Sequence, residues 1–209
     1  MYVSEEAYAA FMLDHAAGAL SQGERLAADL HRALSVEGAR TARIWEAVGG
    51  AILERGGAAG FAHTLPPSLD EAILGDAGFQ APPHGDRLRT YADWVQHFIS
   101  TDPMDQPWRK TMFGPRTAPT GLPMTELLRM DPGERAPRHT HGRRDVSLVL
   151  CGSFADEYGV YKRGDIAFSH AGIPHQPRTA GDEPCVCLVA IEPGKPLSAI
   201  LGAFGLLDR

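Results

Sequence analysis

The stretch Gly133-Glu-Arg-Ala-Pro-Arg-His139-Thr-His141-Gly-Arg-Arg-Asp145 decides how the second half of this chain is read. His139 and His141 are two residues apart, and on a strand such side chains leave the same face. Asp145 has the same parity, so a continued strand aims it the same way. Gly152 and Gly164 follow, and the run His170-Ala-Gly172-Ile-Pro-His175 returns another imidazole from a later strand. Two imidazoles on one strand, a carboxylate nearby and an imidazole from a return strand form a common cage for one divalent metal. The expected ligands are His139, His141, Asp145 and His175. Zinc is the expected metal, with iron, manganese or nickel as alternatives. Aspartate is one methylene shorter than glutamate, so Asp145 is expected to bind at longer range or through water. His170 reads as an exposed turn residue without a ligand role.

The rest of the chain bounds what such a site can serve. At 209 residues, 44% hydrophobic and 22% charged, the chain has the make-up of a soluble globular protein of one domain or two small ones. The formal charge is −6 and no Lys/Arg stripe appears, which argues against direct nucleic-acid binding. No apolar run is long enough to span a membrane. The acidic start Met1-Tyr-Val-Ser-Glu-Glu6 does not resemble a signal peptide, so a cytoplasmic protein is expected. The cysteines Cys151, Cys185 and Cys187 are odd in number and read as reduced thiols. Cys185 and Cys187 alternate within Cys-Val-Cys-Leu-Val-Ala-Ile191, which puts both on one face of a strand as small core residues rather than ligands.

The hydrophobic period changes along the chain. Ser4-Glu-Glu opens a helical pattern through Tyr8, Phe11, Met12, Ala16 and Leu20, with Gly18 near its end. Ser21-Gln-Gly-Glu24 reads as a capping box for a second helix striped by Leu26, Leu30 and Leu34. Ser35 caps a third, with Ile44, Val48, Ile52 and Leu53 on its apolar face and Gly56-Gly57 as its stop. Most of these apolar residues are expected to pack against one another in a small bundle with a groove. Gly56 to Gly60, Leu65-Pro66-Pro67 and Ala81-Pro82-Pro83-His84-Gly85 read as connectors. Ser68-Leu-Asp-Glu71 caps a short helix ending near Gly75. Tyr91 to Ser100 fits either a short helix or a strand. Strands are expected at Met124–Met130, Ser147–Cys151, Asp165–Phe168 and Cys185–Ile191. The fold class is therefore α+β: residues 1–85 form a helical domain with linker, and 86–209 an antiparallel β-barrel.

The second half resembles a cupin, the double-stranded β-helix. The family's first motif (Gly, five residues, His-x-His, three or four residues, Glu, six residues, Gly) is matched by Gly133, His139, His141 and Gly152, with Asp145 in place of Glu. Its second (Gly, five residues, Pro-x-Gly, two residues, His, three residues, Asn) is matched by Gly164, Gly172 and His175, with His170 for proline and Thr179 for asparagine. The order of parts resembles the ChrR-type anti-sigma factors. Leu13-Asp-His-Ala-Ala-Gly18-Ala-Leu-Ser21, His31-Arg-Ala-Leu-Ser35 and Trp45-Glu-Ala-Val-Gly-Gly50 carry that resemblance in the first half. Pro137-Arg-His-Thr-His141, Gly152-Ser-Phe-Ala-Asp156 and His175-Gln-Pro177 carry it in the second.

The resemblance implies a cytoplasmic regulator that holds an extracytoplasmic-function sigma factor inactive, with the metal cupin sensing an oxidant or small ligand. It also implies an N-terminal zinc site built on a histidine near the start and a His-x-x-x-Cys-x-x-Cys run. Here that run is His31-Arg-Ala-Leu-Ser35-Val-Glu-Gly38, and both cysteines are gone. One ligand cannot hold zinc. His31 is therefore expected to be a surviving helix residue and not a ligand, whose removal changes neither metal content nor fold, and the helices are left to rest on packing against the cupin or a partner. The competing readings are a metal-dependent cupin dioxygenase acting on a small diketone or acid and a non-catalytic cupin holding a small ligand in the barrel. A homodimer is compatible with all three.

Overall fold

The computed structural model describes residues 4–55, 91–112, 114–142, 144–169 and 171–191. The expected connectors between 56 and 85, the short helix begun at Ser68 and the turn position His170 lie outside these residues.

The first three helices start where their sequence signals place them. Ser4 Oγ accepts the Ala7 N–H at 3.0 Å and opens α1 (Glu5–Ala16), with Glu5 and Glu6 at the positive end of its dipole. Ser21 and Glu24 complete a capping box at the head of α2 (Gln22–Leu34), each side chain accepting the other residue's backbone N–H. Ser35 Oγ accepts the Gly38 N–H at 3.2 Å at the head of α3 (Val36–Arg55). Tyr91–Ser100, which the sequence leaves open, is a helix, α4. It lies on α2: the Tyr91 hydroxyl donates to Asp29 at 2.8 Å, and the Arg25 guanidinium sits 4.2 Å above the Tyr91 ring.

Among the described residues nine strands follow: β1 (Arg109–Thr111), β2 (Gly114–Pro119), β3 (Thr125–Met130), β4 (Asp145–Cys151), β5 (Ser153–Ala155), β6 (Val160–Lys162), β7 (Ile166–Ser169), β8 (Arg178–Thr179) and β9 (Cys185–Ile191). They form an antiparallel six-stranded sheet, β1-β2-β3-β9-β4-β7, and a three-stranded sheet, β6-β5-β8. The expected barrel is thus two facing sheets, a jelly-roll-like cupin rather than one continuous cylinder.

Strand parity separates two cores. One face of the large sheet turns Val149, Ala167, Cys185 and Cys187 towards Phe154 and Tyr161 of the small sheet. The Cys185 and Cys187 sulfurs lie there 3.7 Å apart, as small core residues on one face. The other face presents Val146, Leu148, Ile166, Phe168, Val186 and Leu188, and the helices cover it. This is why β4 is buried at six consecutive positions: it is sandwiched on both faces, so its apolar run does not alternate.

The helices therefore form a layer on the large sheet rather than a bundle closed on itself. Leu26 and Leu30 are fully buried within that layer, and Phe11 meets Phe168 edge-on at 5.1 Å between ring centroids. Arg144, just before β4, donates to the buried Glu24 of α2 at 3.0 Å. The expected burial of the α3 stripe does not hold. Ile44, Val48 and Ile52 are 49%, 39% and 65% exposed, because α3 turns Ala42 and Trp45 to the core and no described element covers the side that carries the stripe.

His31 is not an ordinary helix residue. It is only 4% exposed. Its Nδ1–H donates to the Gly164 carbonyl in the β6–β7 turn at 2.7 Å, which leaves Nε2 to accept from the Tyr8 hydroxyl at 2.9 Å. Where the resemblance implies a zinc knuckle, this chain has hydrogen bonds: His31 ties α2 to α1 and to the cupin, and Ser35 caps α3. The backbone has closed on the spot, for a Cβ at position 38 would sit 2.6 Å from the His31 carbonyl oxygen.

Candidate metal centre

The site sits at the end of the two-sheet cupin where the chain makes isolated bridges. His139 and His175 pair directly, exchanging both backbone hydrogen bonds at 3.0 and 2.9 Å, which sets their side chains on one face. His141, two residues on from His139, keeps that face and pairs with Ala171. Among the described residues, His139, His141 and His175 form the one group whose potential ligand atoms all lie within 4.8 Å of one another.

The ring nitrogens divide into two sets. The three Nε2 atoms converge: His141 to His175 is 2.8 Å and His175 to His139 is 3.1 Å. The three Nδ1 atoms point outward, each at an acceptor. His139 Nδ1 donates to the Pro137 carbonyl at 2.7 Å, His141 Nδ1 to the Asp145 carboxylate, and His175 Nδ1 to Asp156 Oδ2 at 3.3 Å. A neutral imidazole that donates from one nitrogen has a bare lone pair on the other. Three lone pairs at these separations repel one another, and a cation between them turns that repulsion into coordination. The donor set thus fits a metal that accepts imidazole nitrogen, such as zinc, iron or nickel. Burial pushes the pKa of His139 down to about 4; the Pro137 carbonyl opposes this, and His141 and His175 add to it. The ring is therefore neutral and able to ligate at ordinary pH.

Of the four ligands expected from the sequence, the structure converges three. Asp145 is buried at the start of β4 but stands behind His141, outside the Nε2 triangle. Its short side chain is taken up by the imidazole Nδ1–H before it can reach round to the Nε2 side. Asp156 joins the site without being marked by the motif spacing. Its carboxylate is buried; burial raises its pKa, but the hydrogen bonds it accepts, that of His175 first among them, hold it below the usual carboxylate range. A signal for it exists in the sequence: Asp156 follows Phe154 by two, and Phe154 is the inward residue of β5. His15, the other histidine on the helices with a close acid, pairs with Asp29 at 2.7 Å and belongs to the α1–α2 contact.

Fold and site together define a cupin with a buried three-histidine centre and a helical layer on its outer face. Residues 101–194 match the model of the ChrR cupin-like domain. The anti-sigma-E factor ChrR of Cereibacter sphaeroides is 30% identical over 197 residues, which are 88% of this chain and 87% of that protein. The structure of Rhodobacter sphaeroides SigE in complex with the anti-sigma ChrR is similar with a TM-score of 0.63, at 27% identity over 91% of this chain and 98% of that one. The chain belongs to the ChrR family of anti-sigma factors.

Proposed function

We propose that this chain sequesters a sigma factor of the extracytoplasmic-function class through its helical layer. We further propose that its cupin holds one divalent metal, zinc in the first instance, on His139, His141 and His175, and senses an oxidant or small ligand there. On this reading Asp145 holds His141 in place, the protein works in the cytoplasm, and it is a regulator rather than an enzyme. The observation that carries the reading is the apolar stripe of α3. Ile44, Val48 and Ile52 recur on one side of the helix, and all three are exposed. A stripe with i, i+4, i+8 spacing is what a helix offers to an apolar groove, or to another helix, of a partner. Family membership supports a sigma factor as that partner, because the similar ChrR is found in complex with SigE. Among the described residues no helix is long and apolar enough to cross a membrane. A bound zinc ion would supply a Lewis-acidic, redox-silent centre. The chain's own part is to keep the Nε2 atoms of three imidazoles aimed at one point.

The test uses the full-length, metal-loaded protein with purified extracytoplasmic-function sigma factors from the same genome. One of them is expected to form a stable complex. The double substitution Val48→Glu, Ile52→Glu is expected to weaken that complex at least tenfold while leaving metal content and thermal midpoint unchanged. If no such sigma factor binds the folded, loaded protein, or if the iron-loaded protein consumes oxygen with a small diketone, the regulatory reading gives way to the dioxygenase.

A further inference from the structure

We propose that Asp156 is the residue that sets the tautomer of His175 and thereby makes Nε2 of that histidine available to a metal. The inference rests on the metal-centre reading and assigns a role to a side chain that does not face the centre itself. Asp156 lies where the chain leaves β5 and turns back towards β6. Its own N–H donates to the Gly159 carbonyl at 3.0 Å, closing the turn. Its Oδ1 accepts the backbone N–H groups of Tyr158 at 2.9 Å and Gly159 at 3.2 Å. This is an Asx-type turn, and it fixes which way the carboxylate faces. With Oδ1 held by two amides, Oδ2 is left to face His175 Nδ1 at 3.3 Å. The side chains of both residues are almost fully withdrawn from solvent, at 0% and 3% exposed.

A carboxylate can only accept there, so His175 must carry its proton on Nδ1 and present the Nε2 lone pair to His139 and His141. The other two histidines are secured differently, His139 by a main-chain carbonyl and His141 by the neighbouring Asp145. His175, delivered by the segment that leads into β8, instead takes its acid from the end of the neighbouring strand β5.

The proposal separates cleanly from a merely structural role for the turn. In Asp156→Asn the amide oxygen is the only atom able to accept from Tyr158 and Gly159, so it takes the Oδ1 place and the turn survives. The amide NH2 then faces His175 Nδ1. That nitrogen must become the acceptor, and the proton moves to Nε2, pointing into the metal position. An isosteric change that keeps the fold thus reverses the tautomer, as a carboxylate-to-amide change does behind other functional histidines.

The experiment is run on full-length protein in two arms. In the first, zinc affinity is measured by competition with a chromophoric chelator. Asp156→Asn is expected to bind about 10–100-fold more weakly than the parent, the range for losing a partner of a ligating histidine. Its metal-free thermal midpoint should be unchanged. In the second, 15N NMR of the metal-free proteins should show His175 protonated on Nδ1 in the parent and on Nε2 in the variant. Zinc affinity within about threefold of the parent, or an unchanged His175 tautomer, would overturn the proposal. If the parent itself binds no zinc, iron or nickel, the metal reading fails, and the NMR arm still decides what Asp156 does to His175.

Discussion

The Nδ1–H of His31 donates to Gly164 and its Nε2 accepts from Tyr8, so one buried ring serves three segments of the chain. Replacing His31 by Ala strands a carbonyl and a hydroxyl and opens a cavity, and should cost about 2–4 kcal/mol. Denaturant unfolding measures this, and metal content should not change; a loss within experimental error would show that the layer does not depend on the contact. The ring also makes stability pH-dependent. Burial lowers its pKa, and the Gly164 bond and the charges of Asp165 and Glu37 only partly oppose this. The unfolded chain takes up this proton near the ordinary histidine value and the folded chain only at lower pH. Stability is therefore lost as pH falls below about 6.5 towards the folded value. Unfolding midpoints at pH 7.5 and 5.5 should differ less in His31→Gln than in the parent, because glutamine can donate and accept without titrating. At this scale the sequence is legible where chemistry follows spacing: His139, His141 and His175 stand in motifs that place them together. It is not legible where the partner is remote. His31 and Gly164 are 133 residues apart, and neither carries a mark of the other. Asp145 has the right type and parity for a ligand, and only the folded geometry shows its carboxylate behind the His141 ring.

Elements were readable to the extent that their ends carry caps. Ser4, Ser21 and Ser35 head three helices as expected, and the four expected strands appear within a residue or two of their places. What lay beyond reach was the use of faces. A stripe at helical spacing says that one side of α3 is apolar, not what covers it. Tyr91–Ser100 could not be settled by period alone, because ten residues with a few large apolar side chains fit either state. The β6–β7 turn shows how tightly elements meet here. Gly164 has φ of +89°, and a Cβ on it would lie 2.7 Å from the Leu34 carbonyl oxygen at the end of α2. Gly164→Ala must therefore adopt a left-handed conformation and push a helix end away, at a cost of at least about 2 kcal/mol. Because His31 donates to the carbonyl of Gly164 itself, the two substitutions share a contact, and a double mutant should lose clearly less than the sum of the single losses. Strict additivity would mean that turn and helix are not coupled.

On the scale of the molecule, the large sheet is shared. Its inner face runs from the histidine centre down to Cys185 and Cys187, and its outer face is the floor of the helical layer. β4 contributes to both at once, with Asp145 behind a histidine and Val146 and Leu148 under the helices. Helices and cupin should therefore unfold together. Thermal unfolding followed by far-UV circular dichroism and by tryptophan fluorescence should give coincident single transitions, since Trp94 is buried in the core shared with the sheet. Zinc at a hundredfold excess over its dissociation constant should raise that single transition by about 2.7 kcal/mol, and it should protect the amides of α2 as well as those of β4. Independent domains predict something else: two transitions, with only the later half of the chain responding to metal. The same coupling bears on function. The α3 stripe and the histidine centre lie on different layers, so among the described residues the packed sheet and contacts such as His31–Gly164 are what join them. Hydrogen exchange in metal-free and zinc-loaded protein decides the matter. Slower exchange along α2 on loading supports that route, and protection confined to the strands around His139 and His175 would break it.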